Sequence, residues 1–271
     1  MRTRKQIGDL ILTSLLQSRQ SLQEQFESSK GTIGYFVLDD LLPEELLSEI
    51  YKAFPKPEET TKKKNLREQK FVGYQMDQYD PILEEIIYAF QEDSVTSIIS
   101  EICGIENLLP DEFLYAGGIS LMNQGGFLNP HLDNSHDKDR NLWRALNLLY
   151  YVSPDWKLED GGNLEIWTEG VKEKQTVIES KYNRLVVMAT HQKSWHSVSK
   201  VVSNKARCCV SNYYFTETPL EVSDTFHVTT FRGRPSEKVK DFILQLDNKL
   251  RSTVRKIFRK GVRKNSHQYK K

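Results

Sequence analysis

Near residue 113 the hydrophobic period of this 271-residue chain switches from helical to alternating, and that switch limits the architectures open to it. Beyond it, eight strand-like segments can be drawn, at 113–122, 127–132, 143–153, 163–168, 174–179, 184–190, 195–202 and 206–215. Turn signals such as Gly125-Gly126 and Asp160-Gly161-Gly162 separate them. Many short strands punctuated in this way predict an antiparallel barrel or jelly roll.

The residues before the switch predict helices packed on that barrel. In 5–27, Ile7, Leu10, Ile11, Leu15, Leu22 and Phe26 recur at helical spacing. A second helix opens at Pro43, carries Glu44 and Glu45 at its positive dipole end, and stops near Phe54 before Pro55 and Pro57. The charged stretch 57–79 has no clean period and reads as a long loop or lid. Asp80 caps a third helix that begins at Pro81, and a short fourth one near 95–103 ends at Gly104. The expected domains are a helical support region at 1–110 with its lid, a β core at 111–220, and a C-terminal extension at 221–271.

With 38% hydrophobic residues the chain can bury a sizeable core. The apolar run at 7–16 is broken by Gly8, Asp9 and Thr13, so it suits neither a membrane span nor a secretion signal, and a cytoplasmic location is expected. Three cysteines, Cys103, Cys208 and Cys209, have no metal-type spacing and read as buried apolar residues. Net charge is +1, yet residues 251–271 hold nine Lys or Arg and no acid, leaving 29 basic against 37 acidic residues before them.

The chemistry concentrates at Asn129-Pro130-His131-Leu132-Asp133. On an extended segment, His131 and Asp133 share one face and can grip one metal, while Leu132 points away. Alone, a His-x-Asp is commonly a surface pair. A third ligand from a neighbouring strand would complete a two-histidine, one-carboxylate face with open positions for other ligands. His191 and His196 compete for that place. His196 starts a predicted strand and is favoured, whereas His191 lies in a polar turn where exposure is the simpler reading.

In this order of motifs the chain resembles the 2-oxoglutarate/Fe(II)-dependent dioxygenase superfamily, and in particular its prolyl-4-hydroxylase-like branch. The resemblance covers roughly 113–216. It is carried by His131-Leu132-Asp133, by the run 144–156 from Arg144-Ala145-Leu146-Asn147 to Pro154-Asp155-Trp156, by Gly161-Gly162 and Trp167, by Arg184-Leu185-Val186-Val187-Met188, by His196-Ser197-Val198 and by Arg207. A weaker likeness runs from Gly34 to Pro43.

The resemblance implies a double-stranded β-helix with iron on His131, Asp133 and His196. It further implies 2-oxoglutarate and O2 as cosubstrates, with ascorbate as an accessory reductant. Arg207 is implied to pair with the distal carboxylate of 2-oxoglutarate, a task suited to its planar, permanently charged fork, and Tyr151 to support it. Asn147 and Ser211 face the same interior, as packing or as pocket groups. Many relatives place a tyrosine about ten residues before the first metal histidine, where this chain has Leu121 and Met122. Because Asp133 is a carboxylate, hydroxylation of an unactivated C–H bond is the expected outcome, on a small-molecule, amino-acid or peptidyl, including prolyl, substrate.

Asn129, Asn134, His136, Arg140 and the lid are rim groups without an assigned role, and Tyr115, Trp143 and Trp167 read as packing. The basic tail, with Arg255, Lys256, Arg259, Lys260, Arg263 and Lys264, suits an acidic partner, nucleic acid or an anionic membrane surface, against the plainer reading of a solvated helix end. The competing function class is a non-catalytic jelly-roll binding protein that works through this tail.

Overall fold

The computed structural model describes residues 2–172, 174–258 and 269. The N-terminal layer comprises helix α1 (Arg4–Ser29), strand β1 (Tyr35–Leu38), and helices α2 (Glu44–Lys52), α3 (Pro81–Ala89) and α4 (Asp93–Cys103), with strands β2 (Thr61–Lys64) and β3 (Glu68–Gly73) between α2 and α3. The core follows as β4 (Leu109–Pro110), β5 (Gly118–Met122), β6 (Phe127–Leu132), β7 (Trp143–Tyr151), β8 (Leu164–Ile166), β9 (Thr176–Ile178), β10 (Arg184–Ala189), β11 (His196–Val198) and β12 (Arg207–Thr216). Strand β13 (Thr230–Phe231) and helix α5 (Lys238–Ile257) close the described chain.

The local signals act where the sequence places them. Thr3 and Gln6 form a reciprocal capping box on α1, the Asp80 carboxylate accepts from the Ile82 amide at 3.0 Å, and Gly104 ends α4 at φ 61°. Pro43, expected inside the first turn of α2, is instead its cap residue.

The strands form one curled antiparallel sheet in the order β1-β10-β7-β12-β5-β3-β6-β11-β8-β9, which is the jelly-roll core with helical flanks. Alternation sorts the side chains of its central strands. Leu146, Leu148, Tyr150, Leu185, Val187, Cys208 and Val210 join the helices' Ile7, Ile11, Leu15, Leu22 and Phe26 in one buried cluster outside the barrel. Their neighbours Tyr151, Val186, Met188 and Cys209 pack inside against Leu164, Ile166 and Ile178. The adjacent cysteines are thus both buried, on opposite faces, and all three are free thiols.

One expectation is overturned. The stretch 57–79 is not a long loop: β2 and β3 form a hairpin, and β3 pairs with both β5 and β6. It fills the gap between two consecutive core strands and joins the two halves of the sheet. Its sequence concealed this because Lys62, Lys63, Lys64 and Lys70 interrupt the apolar alternation of a strand. Smaller differences lie at strand ends, since β5 starts at Gly118 rather than 113 and β7 ends at Tyr151 rather than 153.

Candidate metal and cosubstrate site

Register brings the candidate ligands together. His196 on β11 lies directly opposite His131 on β6, and Asp133 follows the end of β6. Their ligand atoms all lie within 4.8 Å of one another, and all three residues are buried. His131 Nε2 is 3.6 Å from Asp133 Oδ1, and His196 Nε2 is 3.9 Å from Asp133 Oδ2. Among the described residues this is the one such cluster.

Each imidazole is oriented by its own backbone. Nδ1 of His131 lies 3.0 Å from the Asn129 carbonyl, and Nδ1 of His196 lies 3.0 Å from the Ser194 carbonyl. A donating Nδ1–H in each leaves Nε2 as the lone-pair nitrogen, aimed at the shared centre. Burial, reinforced by His196, drives the His131 pKa down to about 3, so this ring is neutral at ordinary pH. Burial alone would raise the Asp133 pKa, but Arg144 and the two histidines reverse this and hold it at about 2. With both Nε2 atoms turned toward Asp133, the set offers two imidazole nitrogens and one anionic oxygen, the donors that suit a divalent iron with open positions.

His191 is excluded from this set, and for a reason other than the one expected. It is buried rather than exposed, and its Nε2 lies 3.0 Å from the Ile33 carbonyl while its backbone amide bonds Ser194 Oγ. It ties the β10–β11 turn to the chain before β1.

A cavity of about 160 Å³ adjoins the triad and is lined by Met122, Asn147, Leu149, Arg207, Ser211 and Tyr213 among others. Arg207 is 2% exposed, and its Nε donates to Ser180 Oγ at 3.2 Å while its Nη1 has no partner. Its guanidinium carbon sits 4.9 Å from the centroid of the Tyr151 ring, and the buried Tyr151 hydroxyl is likewise unpartnered. Gly162 makes this arrangement possible, because a Cβ there would meet Arg207 Cδ at 2.8 Å. A buried guanidinium nitrogen and a buried hydroxyl, each without a hydrogen-bond partner, are what a small dicarboxylate would satisfy.

Asn147 and Ser211 both line the cavity, and Asn147 Nδ2 donates to Asp133 Oδ2 at 3.4 Å. On the side where Leu121 and Met122 left the pocket undefined, Leu121 turns outward into the helix-facing core, and the hairpin contributes Lys63, Lys70, Val72 and Tyr74.

Two participants had escaped the sequence reading. Arg144 Nη1 lies 3.4 Å from Asp133 Oδ2, with its guanidinium 4.3 Å over the Tyr213 ring. Strict alternation groups Arg144 with Leu146 and Leu148 on the helix-facing side. A register shift opposite Tyr214 and Phe215 bulges β7 and turns Arg144 toward Asp133. The other is Phe231 on β13, stacked on His131 with ring centroids 5.3 Å apart. Asn248 of α5 holds it, accepting from the Phe231 amide at 3.0 Å and donating to its carbonyl at 2.6 Å. No motif spacing announces a contact made across a hundred residues of chain.

Of the tail cations within the described residues, Arg251 pairs with Asp247 at 2.9 Å and donates to the Thr229 carbonyl, while the structure gives Lys256 no ion pair. Arg259, Lys260, Arg263 and Lys264 lie outside the described residues. No helix among the described residues is long and apolar enough to cross a membrane.

Comparison with curated proteins finds no match to the chain. Solved structures share its fold. A prolyl hydroxylase from Trichoplax adhaerens, in complex with a hypoxia inducible factor oxygen degradation domain peptide, superposes with TM-score 0.54 at 19% identity, covering 74% of this chain and 92% of that one. A prolyl 4-hydroxylase from Phytophthora capsici gives TM-score 0.55 at 16% identity over 95% of this chain and 79% of its own. HygX from Streptomyces hygroscopicus, with nickel, 2-oxoglutarate and hygromycin B bound, gives 0.51 at 11% identity over 76% and 90%. Residues 117–215, which include the triad and Arg207, match the family model of the 2OG-Fe(II) oxygenase superfamily. That match covers the strand core that carries the triad and Arg207, and the fold around it is one shared with prolyl hydroxylases.

Proposed function

We propose that His131, Asp133 and His196 hold the iron, that Arg207 and Tyr151 hold the distal carboxylate of 2-oxoglutarate, and that the enzyme hydroxylates an unactivated C–H bond. One observation carries the reading. The buried triad and the unpartnered polar atoms Arg207 Nη1 and Tyr151 Oη belong to one barrel interior, so metal and dicarboxylate can be bound together. Bound together with O2, Fe(II) and 2-oxoglutarate supply an oxidant strong enough for aliphatic C–H bonds, with succinate and CO2 as coproducts.

The chain's own part is binding, orientation and exclusion. Arg207 presents two parallel donors, and its hydrogen bond to Ser180 sets their plane. Burial raises the Tyr151 pKa, so the phenol stays protonated as a donor. Arg144 and Asn147 both hold Asp133 Oδ2, and Phe231 stacks over His131 and covers it against water. One structural neighbour holds a hypoxia inducible factor peptide and another hygromycin B, and a small-molecule or peptidyl substrate, prolyl included, fits the same reading here.

The test is succinate release from 2-oxoglutarate under Fe(II) and O2, followed by a substrate screen for mass gain of one oxygen. Wild-type protein should release succinate, and Asp133→Ala should release none. Turnover that survives removal of Arg207 would sink the cosubstrate assignment and leave a metal enzyme of another kind.

A further inference from the structure

Helix α5 reverses the usual division of a surface helix into an apolar inner and a polar outer face. Its inner face is polar and serves the site. Asn248 holds Phe231 over His131, and Arg251 and Arg255 help to wall a second cavity, of about 370 Å³, which lies against the first. Lys63 and Ala116 line both cavities, and Arg144 walls the second while touching Asp133 of the first. Of the apolar residues of α5, Leu244 alone is buried.

The outer face is apolar. Val239, Phe242, Ile243, Leu246, Leu250 and Ile257 recur at spacings of three, four and seven along one side of the helix. All of them are exposed, Phe242 by 63%, Leu246 by 52% and Leu250 by 66%. Over the 20 residues of α5 the stripe runs about 30 Å. Single exposed apolar side chains are ordinary, but a continuous stripe of this length marks a surface that something covers.

Charge complementarity identifies the cover. The acids at and within α5, Glu237, Asp241 and Asp247, are each ion-paired, with Lys240, Arg232 and Arg251 respectively. Lys238, Lys249 and Lys256, by contrast, are exposed and make no ion pair among the described residues. Their spacing sets them along one edge of the stripe, beside Phe242. Residues 259–271 add six Lys or Arg and no acid. Nucleic acid would match the charge, but its interfaces are polar and leave the leucines in water. A second copy would match the stripe, but antiparallel pairing would set the two lysine edges against each other.

We propose that α5 docks in the plane of an anionic lipid surface, with its outer stripe below the headgroups and Lys238, Lys249 and Lys256 among them. Lysine stems lie along apolar surface while the ammonium reaches a headgroup phosphate or carboxylate. The inner face stays on the barrel, so docking leaves Asn248 and Arg255 in place. The inference is independent of the oxygenase reading.

The experiment is co-sedimentation of the full chain with vesicles of phosphatidylcholine alone and of phosphatidylcholine mixed with phosphatidylserine. The mixed vesicles should bind at least about tenfold more tightly. Leu246→Gln combined with Leu250→Gln keeps every charge and should weaken that binding at least about tenfold. Lys249→Glu should weaken it at least about fivefold, whereas the same reversal at exposed Lys205, between β11 and β12, should leave it unchanged. All these side chains already lie in water, so the variants should keep the wild-type midpoint in urea. Equal binding to both vesicles, binding to neither, or binding that survives the double glutamine substitution would overturn the proposal, the last leaving a purely electrostatic contact of the basic tail. A chain that sediments as a dimer, split by that same double substitution, would overturn it as well and give the stripe to a second copy.

Discussion

The two cavities are adjacent but built from different parts of the molecule. The first is walled mainly by core strands β5, β6, β7, β11 and β12, and its groups converge on one buried carboxylate and one buried arginine. The second is walled by the β2–β3 hairpin, the segment after β6 and the last turns of α5. The first therefore sits on strands fixed by neighbours on both sides, while the second sits on peripheral elements whose residues can change without disturbing the barrel. Arg144 is the wall the two share.

That division can be broken or sharpened by substitution. The largest effect is expected for Asp133→Ala, which removes the anionic ligand and should lower iron-dependent succinate release by at least about a thousandfold, checked by single-turnover assay. Arg207→Leu leaves the metal set intact but deprives a buried carboxylate of its cation, so KM for 2-oxoglutarate should rise about a hundredfold with metal affinity unchanged. If metal affinity falls as well, the two halves of the first cavity are not independent. Asn248→Ala strands the amide and carbonyl of Phe231 and should cost about 2 kcal/mol of unfolding free energy in urea, together with part of the turnover, because the ring over His131 loosens. Arg144→Met should weaken metal binding about tenfold, the usual scale for a group that orients a ligand, and should impair both cavities at once. An effect confined to one would show that Arg144 is no shared wall. The smallest effect is expected for Thr3→Ala, which removes the α1 cap and should cost about 1 kcal/mol in thermal unfolding while leaving both cavities unaltered.

The parts of the site legible in the sequence are those that local geometry dictates. His131 and Asp133 had to share a face because a strand repeats every two residues, and Tyr151, Asn147, Arg207 and Ser211 point inward by the same rule. The start of a predicted strand favoured His196 over His191, and the register of β11 against β6 brings it to the triad. His191 shows the limit of local reading: polar neighbours suggested exposure, yet a carbonyl from 158 residues upstream buries it.

The sequence by itself therefore determined the four N-terminal helices, eight strands of the core and most of the groups facing its interior, since period, caps and turns are properties of neighbouring residues. Only the tertiary structure decided that the lysine-rich stretch completes the sheet and that a bulge turns Arg144 inward. It alone decided that α5 reaches back to hold Phe231 over His131 and to place Arg255 on a second cavity. Each of these depends on pairing between segments far apart in the chain, and such pairings leave no periodic trace in either partner.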